Sequence, residues 1–220
     1  MKQMSKIKAI VFLAGLIIFM NACCNSAQQE SEAQKGAGIF EWSGGIGGMK
    51  LIGSVNYDSA TQTYTLTGGG MNVWGSLDQH FFVWNKVKGN FSLTTKVAFE
   101  GKGVNAHRKV GIMVRDALTG DSRCVHIDFH GDGRTSLQYR SEAGGQTEEI
   151  VAPENGNYIT LERVGNKFIM RSATGVKPTD VTAEVEMELP ATLYVGLFIV
   201  SHEADVLETG YFTNVEFKKL

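Results

Sequence analysis

From residue 39 onward the chain alternates apolar and polar side chains with period two, in short runs broken by glycine-bearing turns. Successive side chains of a strand point to opposite faces, so this period builds sheets with one apolar face and leaves no room for long amphipathic helices. In FSLTTKVAF (91–99), Phe91, Leu93, Val97 and Phe99 share one face, and Ser92, Thr94 and Lys96 the other. KVGIMVR (109–115) sets Val110, Ile112 and Val114 against Gly111, Met113 and Arg115. RCVHIDFH (123–130) sets Val125, Ile127 and Phe129 against Cys124, His126, Asp128 and His130. RTSLQYR (134–140) sets Leu137 and Tyr139 against Ser136, Gln138 and Arg140. YITLERV, KFIMRSA, TLYVGLFIV and GYFTNVEF continue the pattern. Gly131-Asp132-Gly133 and Gly165-Asn166 supply the positive φ values that tight hairpins need. The 26 Gly against 3 Pro agree with many turns, and no repeat of propeller or solenoid length is present. The expected fold is all-β, a sandwich of two antiparallel sheets.

The first residues follow another pattern. Lys2, Lys6 and Lys8 precede the apolar run AIVFLAGLIIFM (9–20). That run falls short of the about 20 residues a membrane span needs and suits the core of a secretory signal. It ends in MNAC (20–23), which resembles a bacterial lipobox: a large apolar residue, two spacers ending in a small one, then the cysteine that receives lipid. An ordinary signal peptide cleaved nearby is the alternative. The expected organisation is a lipoprotein signal peptide over 1–22, a lipidated Cys23 opening a polar tether over 23–38, and a folded domain over 39–220. Such a protein is exported to the bacterial cell envelope and meets the membrane through its lipid anchor alone. Cys124 is the one cysteine in the body, so no disulfide framework is available there, and it reads as a small buried apolar residue.

The formal charge of −2 provides no basic stripe, which argues against nucleic acid as a partner. The outward faces of the strands are the unusual part. A sandwich needs apolar groups only between its sheets, yet Arg115, His126, Asp128, Gln138 and Arg140 all stand outward on successive runs. Neighbouring strands would gather them on one surface. His126-x-Asp128-x-His130 suggests a metal triad, but alternate strand residues stand roughly 6–7 Å apart, so a polar sheet face is the better reading and no metal is expected.

GSVNYDSATQTYTLTGGGMNVWGSLDQHFFVW, GNFSLTTKV, KVGIMVRD and YVGLFIVSH together resemble the concanavalin A-like lectin/glucanase superfamily. More narrowly they resemble a bacterial domain of unknown function found alone or appended to enzymes such as β-xylosidases. The resemblance spans nearly all of 39–220. It implies a jelly-roll sandwich with a concave sheet on which relatives hold carbohydrate. It makes Asn72-Val73-Trp74-Gly75 a turn, with Asp78 at the mouth of the next strand and His80 to Trp84 entering the sheet. Phe81 and Val83 then face one way, and His80, Phe82 and Trp84 the other. The expected glycan site therefore has Arg115, His126, Asp128, Gln138 and Arg140 on the face, His80 and Trp84 at its border, and Trp74 and Asp78 at its rim. Trp74 is either a buried plug or an exposed stacking ring. Arg115 is either a ligand contact or an ion-pair partner of Asp116 or Asp128. No cofactor is indicated, and the sequence leaves a bound calcium open.

One segment argues for catalysis instead. Glu203-x-Asp205-x-x-Glu208 resembles the E-x-D-x-x-E signature of bacterial endoglucanases, whose two glutamates must stand about 5–5.5 Å apart across the scissile bond. Against it, Ala204 replaces a branched residue, the segment lies where relatives have a loop, and no flanking aromatics provide subsites. A non-catalytic glycan binder is therefore the first reading. A glycoside hydrolase using Glu203 and Glu208, and a protein-interaction module of an envelope assembly, are the alternatives.

Overall fold

The computed structural model describes residues 32–220. The expected signal peptide over 1–22 and Cys23 lie outside the described residues. The described part is strands and turns throughout. In chain order the first strands are β1 (Gln34–Lys35), β2 (Trp42–Ile46), β3 (Ser54–Asp58), β4 (Thr63–Gly70) and β5 (Asn72–Trp74). There follow β6 (Leu77–Lys88), β7 (Phe91–Phe99), β8 (Lys109–Arg115), β9 (Cys124–His130), β10 (Thr135–Arg140) and β11 (Glu148–Val151). The last are β12 (Tyr158–Val164), β13 (Lys167–Ala173), β14 (Ala183–Glu186), β15 (Thr192–Val200) and β16 (Glu203–Lys219).

Two antiparallel sheets form. One runs β1-β2-β6-β15-β8-β9-β10-β11, and the other β14-β13-β12-β7-β16-β4-β3. Their inner faces interdigitate as the alternation predicts: Phe81, Val83, Val110, Ile112, Val125, Ile127, Leu137 and Leu197 meet Leu66, Leu93, Val97, Ile159, Leu161, Phe168 and Phe212 in one core. Burying such side chains fully contributes about 1.5–3 kcal/mol each, which sets the register of every central strand. Cys124 is buried, and burial pushes its thiol pKa up to about 12.

Three features depart from the sequence reading. Gln34 and Lys35, placed in the tether by composition, pair with Ser43 and Trp42. The stretch expected to be a turn at Asn72 is a short strand: Asn72, Val73 and Trp74 pair with Gln79, Asp78 and Leu77, and the turn lies beyond them at Gly75, with φ at +64°. The segment holding Glu203 and Glu208, expected as a loop, belongs to β16. A register shift against β4 between Glu203 and Glu208 absorbs residues that simple alternation could not pair.

The first sheet also has apolar groups on its outer face. Phe82, Trp84, Met113 and Phe198 form a second buried cluster with Ile46, Val73 and Val200, and Leu118 packs on it. Left open, that surface would sit in water. The β5–β6 hairpin and the 116–122 loop fold over it instead.

Candidate functional site

Strand pairing gathers the outward residues as expected. Met113 stands opposite His126, and His126 opposite Gln138; Arg115 stands opposite Cys124, and Cys124 opposite Arg140. Asp78, His80, Arg115, His126, Asp128 and Arg140, however, are all fully buried. The folded-over hairpin encloses them. Its Gly75 carbonyl accepts from Thr147 N at 3.0 Å, and its Asp78 N donates to the Gly120 carbonyl at 2.8 Å. The expectation that these six side chains present an open ligand surface is thereby corrected.

Beneath the hairpin they form two networks. Asp78 takes a bidentate contact from Arg140, at 2.6 and 3.0 Å, and a third from Arg115 at 3.4 Å. Arg115 therefore pairs with Asp78, not with Asp116 or Asp128; Asp116 pairs with Arg123. Arg115 NH1 also lies 3.2 Å from His80 Nε2. Burial, followed by the Arg115, His126 and Arg140 charges, holds the His80 pKa well below the usual imidazole value. In the second network Asp128 contacts His126 Nδ1 at 3.1 Å and His130 Nε2 at 2.6 Å, and accepts from Ser136 Oγ at 3.2 Å. Burial alone would raise the Asp128 pKa. The bonds from His126 and His130 outweigh it and hold the carboxyl below its usual range.

Asp128, His130 and Glu149 place their ligating atoms within 4.8 Å of one another. Those atoms are already engaged. Glu149 accepts from Gln138 Nε2 at 2.8 Å, and Arg134 lies 3.6 Å from it and 3.3 Å from His130 Nδ1. A cation would have to enter beside the Arg134 and Lys109 charges, so the trio is built as a hydrogen-bonded network.

The open part of this face is a pocket of about 250 Å³ where the β8–β11 ends meet the hairpin. Of the residues chosen from sequence, Trp74 and Gln138 line it. Trp74 is 42% exposed, so its ring is not a plug. The remaining lining comes from Asn72, His107, Lys109, His130, Arg134, Glu149 and His202. Lys109 and His130 were within reach of the sequence, because they continue the outward parity of Arg115 and His126 to the strand ends. His107 stands two residues before Lys109 with the same parity, and His202 closes the YVGLFIVSH motif, whereas Glu149 comes from a segment that no local signal marks. His202 is held at φ +64°, in the left-handed region, which costs a non-glycine residue roughly 1–2 kcal/mol. Ser201 supports that bend, its hydroxyl donating to the Glu203 carbonyl at 2.6 Å. Strain of this kind concentrates where a side chain must be aimed.

Trp84 lies apart from this pocket. It lines another hollow of about 260 Å³ with Trp42, Lys86, Leu118 and Tyr194. The two glutamates of the endoglucanase-like motif have different surroundings. Glu208 is buried, 2.5 Å from Arg108 and accepting from Val104 N at 3.0 Å, whereas Glu203 is exposed and accepts from Asn105 at 2.9 Å.

No protein-family model matches the chain, and no curated protein matches it either. Solved structures do match. A functionally unknown protein from Saccharomyces cerevisiae superposes with a TM-score of 0.60 at 14% identity, covering 81% of this chain and 96% of its own. Lectin II from Ulex europaeus superposes with a TM-score of 0.51 at 7% identity, covering 76% of this chain and 90% of its own. The fold is a concanavalin A-like jelly roll. The carbohydrate-binding module CBM66 from Bacillus subtilis also matches, with a TM-score of 0.47 at 11% identity over 76% of this chain and 92% of its own. At these identities the likeness concerns the jelly roll and its two sheets alone.

Proposed function

We propose that this protein is an exported, lipid-anchored component of a bacterial envelope whose jelly roll binds glycan without cleaving it. The observation that carries the reading is the exposed Trp74 ring standing over a pocket of amide, imidazole and charged groups. Sugar rings have apolar faces that stack on aromatics, while their hydroxyls need donors and acceptors placed nearby. A lectin shares the same sandwich, and the motif resemblance to the lectin/glucanase superfamily implies the same use of the concave face. The buried Arg108–Glu208 pair favours the non-catalytic form of the reading over the hydrolase.

A glycan screen of the purified protein, followed by calorimetry, tests this. Trp74→Ala is expected to weaken binding about tenfold or more, since aromatic anchors dominate interface energies. Its melting temperature should change little, because an exposed ring contributes little to stability. Trp42→Ala serves as the contrast. Should Trp42→Ala abolish binding and Trp74→Ala leave it intact, the site is the second hollow.

Anchoring is checked separately. Cys23→Ser is expected to accumulate as unlipidated precursor and to move from the detergent to the aqueous phase on phase separation. Wild type and variant both recovered as soluble cleaved protein would remove the anchor from the proposal.

A further inference from the structure

Lys109 is a buried cation that lacks an acid. Its side chain starts β8 and lies under the hairpin, 3% exposed. Its ammonium donates to the Val73 carbonyl at 2.8 Å, to Gln138 Oε1 at 3.1 Å and to Asn72 Oδ1 at 3.3 Å, all of them neutral oxygens. No carboxylate among the described residues stands within ion-pair distance of it. The other buried cations of this face, Arg115 and Arg140, do have one, in Asp78. Removing an ammonium from water without a countercharge is costly, and burial accordingly lowers the Lys109 pKa, with Asp128, Glu149 and Asp78 opposing from further away.

The pocket around it has the same imbalance. Its lining sets two basic side chains, Lys109 and Arg134, against the single carboxylate of Glu149, with three histidines beside them. That carboxylate is occupied by Gln138 and Arg134. Asp128 lies behind the lining and is occupied by His126, His130 and Ser136. The pocket lining is thus short of negative charge, and Trp74 stands 5.7 Å from the Lys109 ammonium.

We infer that the pocket selects an acidic sugar, taking a uronate carboxylate or a sulfate ester onto Lys109 while the ring stacks on Trp74. This rests on the glycan-binding reading and narrows it to a ligand class. The entering anion takes the place of Asn72 Oδ1, the longest of the three contacts, and Asn72 keeps its bond from Val73 N at 2.8 Å. Arg134 supplies a second cation at the rim. An ammonium paired with an anionic oxygen gains a full Coulomb attraction that the amide oxygen it displaces does not provide.

Calorimetry on the purified protein with three galactose-based probes of equal length tests the inference: a neutral galacto-oligosaccharide, an oligogalacturonate and a sulfated galactan fragment. At least one acidic probe is expected to bind tenfold or more tighter than the neutral one, and that preference should shrink as sodium chloride is raised. The carboxylate and sulfate arms identify which acid group is read. Lys109→Gln should erase the preference while leaving weak, Trp74-dependent binding. Should Lys109→Gln not fold, Arg134→Gln at the partly exposed rim is expected to reduce the preference severalfold. Neutral and acidic probes binding equally well, with Trp74→Ala weakening both, overturns this inference and leaves the glycan reading standing. Binding of none of the probes, with an empty glycan screen, overturns both.

Discussion

Asp78→Ala is expected to cost about 3–5 kcal/mol of stability, the usual penalty for removing one partner of a buried ion pair. The carboxylate holds two guanidiniums, Arg140 through both its oxygens and Arg115 through one, and all three side chains have zero exposure. Without it, two cations remain enclosed beneath the hairpin with backbone carbonyls as their chief partners. At about 2–4 °C per kcal/mol for a domain of this size, the melting temperature should fall by about 6–20 °C. Asp78→Asn keeps the shape and loses the charge, and should recover only part of the loss. Chemical denaturation gives the value directly. A cost below about 1 kcal/mol would mean that water replaces the carboxylate easily, and that the hairpin opens far more readily than its hydrogen bonds suggest. The same burial makes Arg140→Ala and Asp128→Ala destabilising changes, so loss of ligand binding in either would not locate the site.

Stability is expected to fall steeply on mild acidification. His80 and His126 are buried, and burial is the leading reason both pKa values lie below the usual imidazole value. In the unfolded chain these rings take up protons near pH 6.5. Below that value the unfolded state binds protons the folded state refuses, so stability present at neutral pH is lost as pH falls from about 6.5 toward the folded values. Each ring contributes a slope of about 1.4 kcal/mol per pH unit. Asp128 adds to this at lower pH: its folded pKa is depressed, so its contribution is complete above about 3.9 and declines below that. Urea unfolding at pH 7.5, 6.0 and 5.0 measures the slope, and His80→Gln should flatten it by about one proton. A stability curve level from pH 7 to pH 5 would show that these rings reach solvent.

Much of the jelly roll follows from the sequence alone. Alternation is a local property, so the runs at 91–99, 109–115, 158–164, 167–173 and 192–200 coincide with β7, β8, β12, β13 and β15, and each side chain's face follows from parity. Parity also places His126, Gln138, Met113, Arg115 and Arg140 on one surface, because strands in register keep equivalent positions together. What covers that surface is not local. The β5–β6 hairpin reaches it through contacts such as Gly75 with Thr147 and Asp78 with Gly120, far apart in the chain. The apolar outer cluster of Phe82, Trp84, Met113 and Phe198 gives the hairpin a reason to close. Closure turns the charged face into an enclosed network and leaves a pocket where His107, Glu149 and His202 arrive from separate segments. Side-chain direction depends on neighbours one or two residues away, and the sequence determines it. Solvent access depends on which distant backbone lies above, and only the tertiary structure decides that.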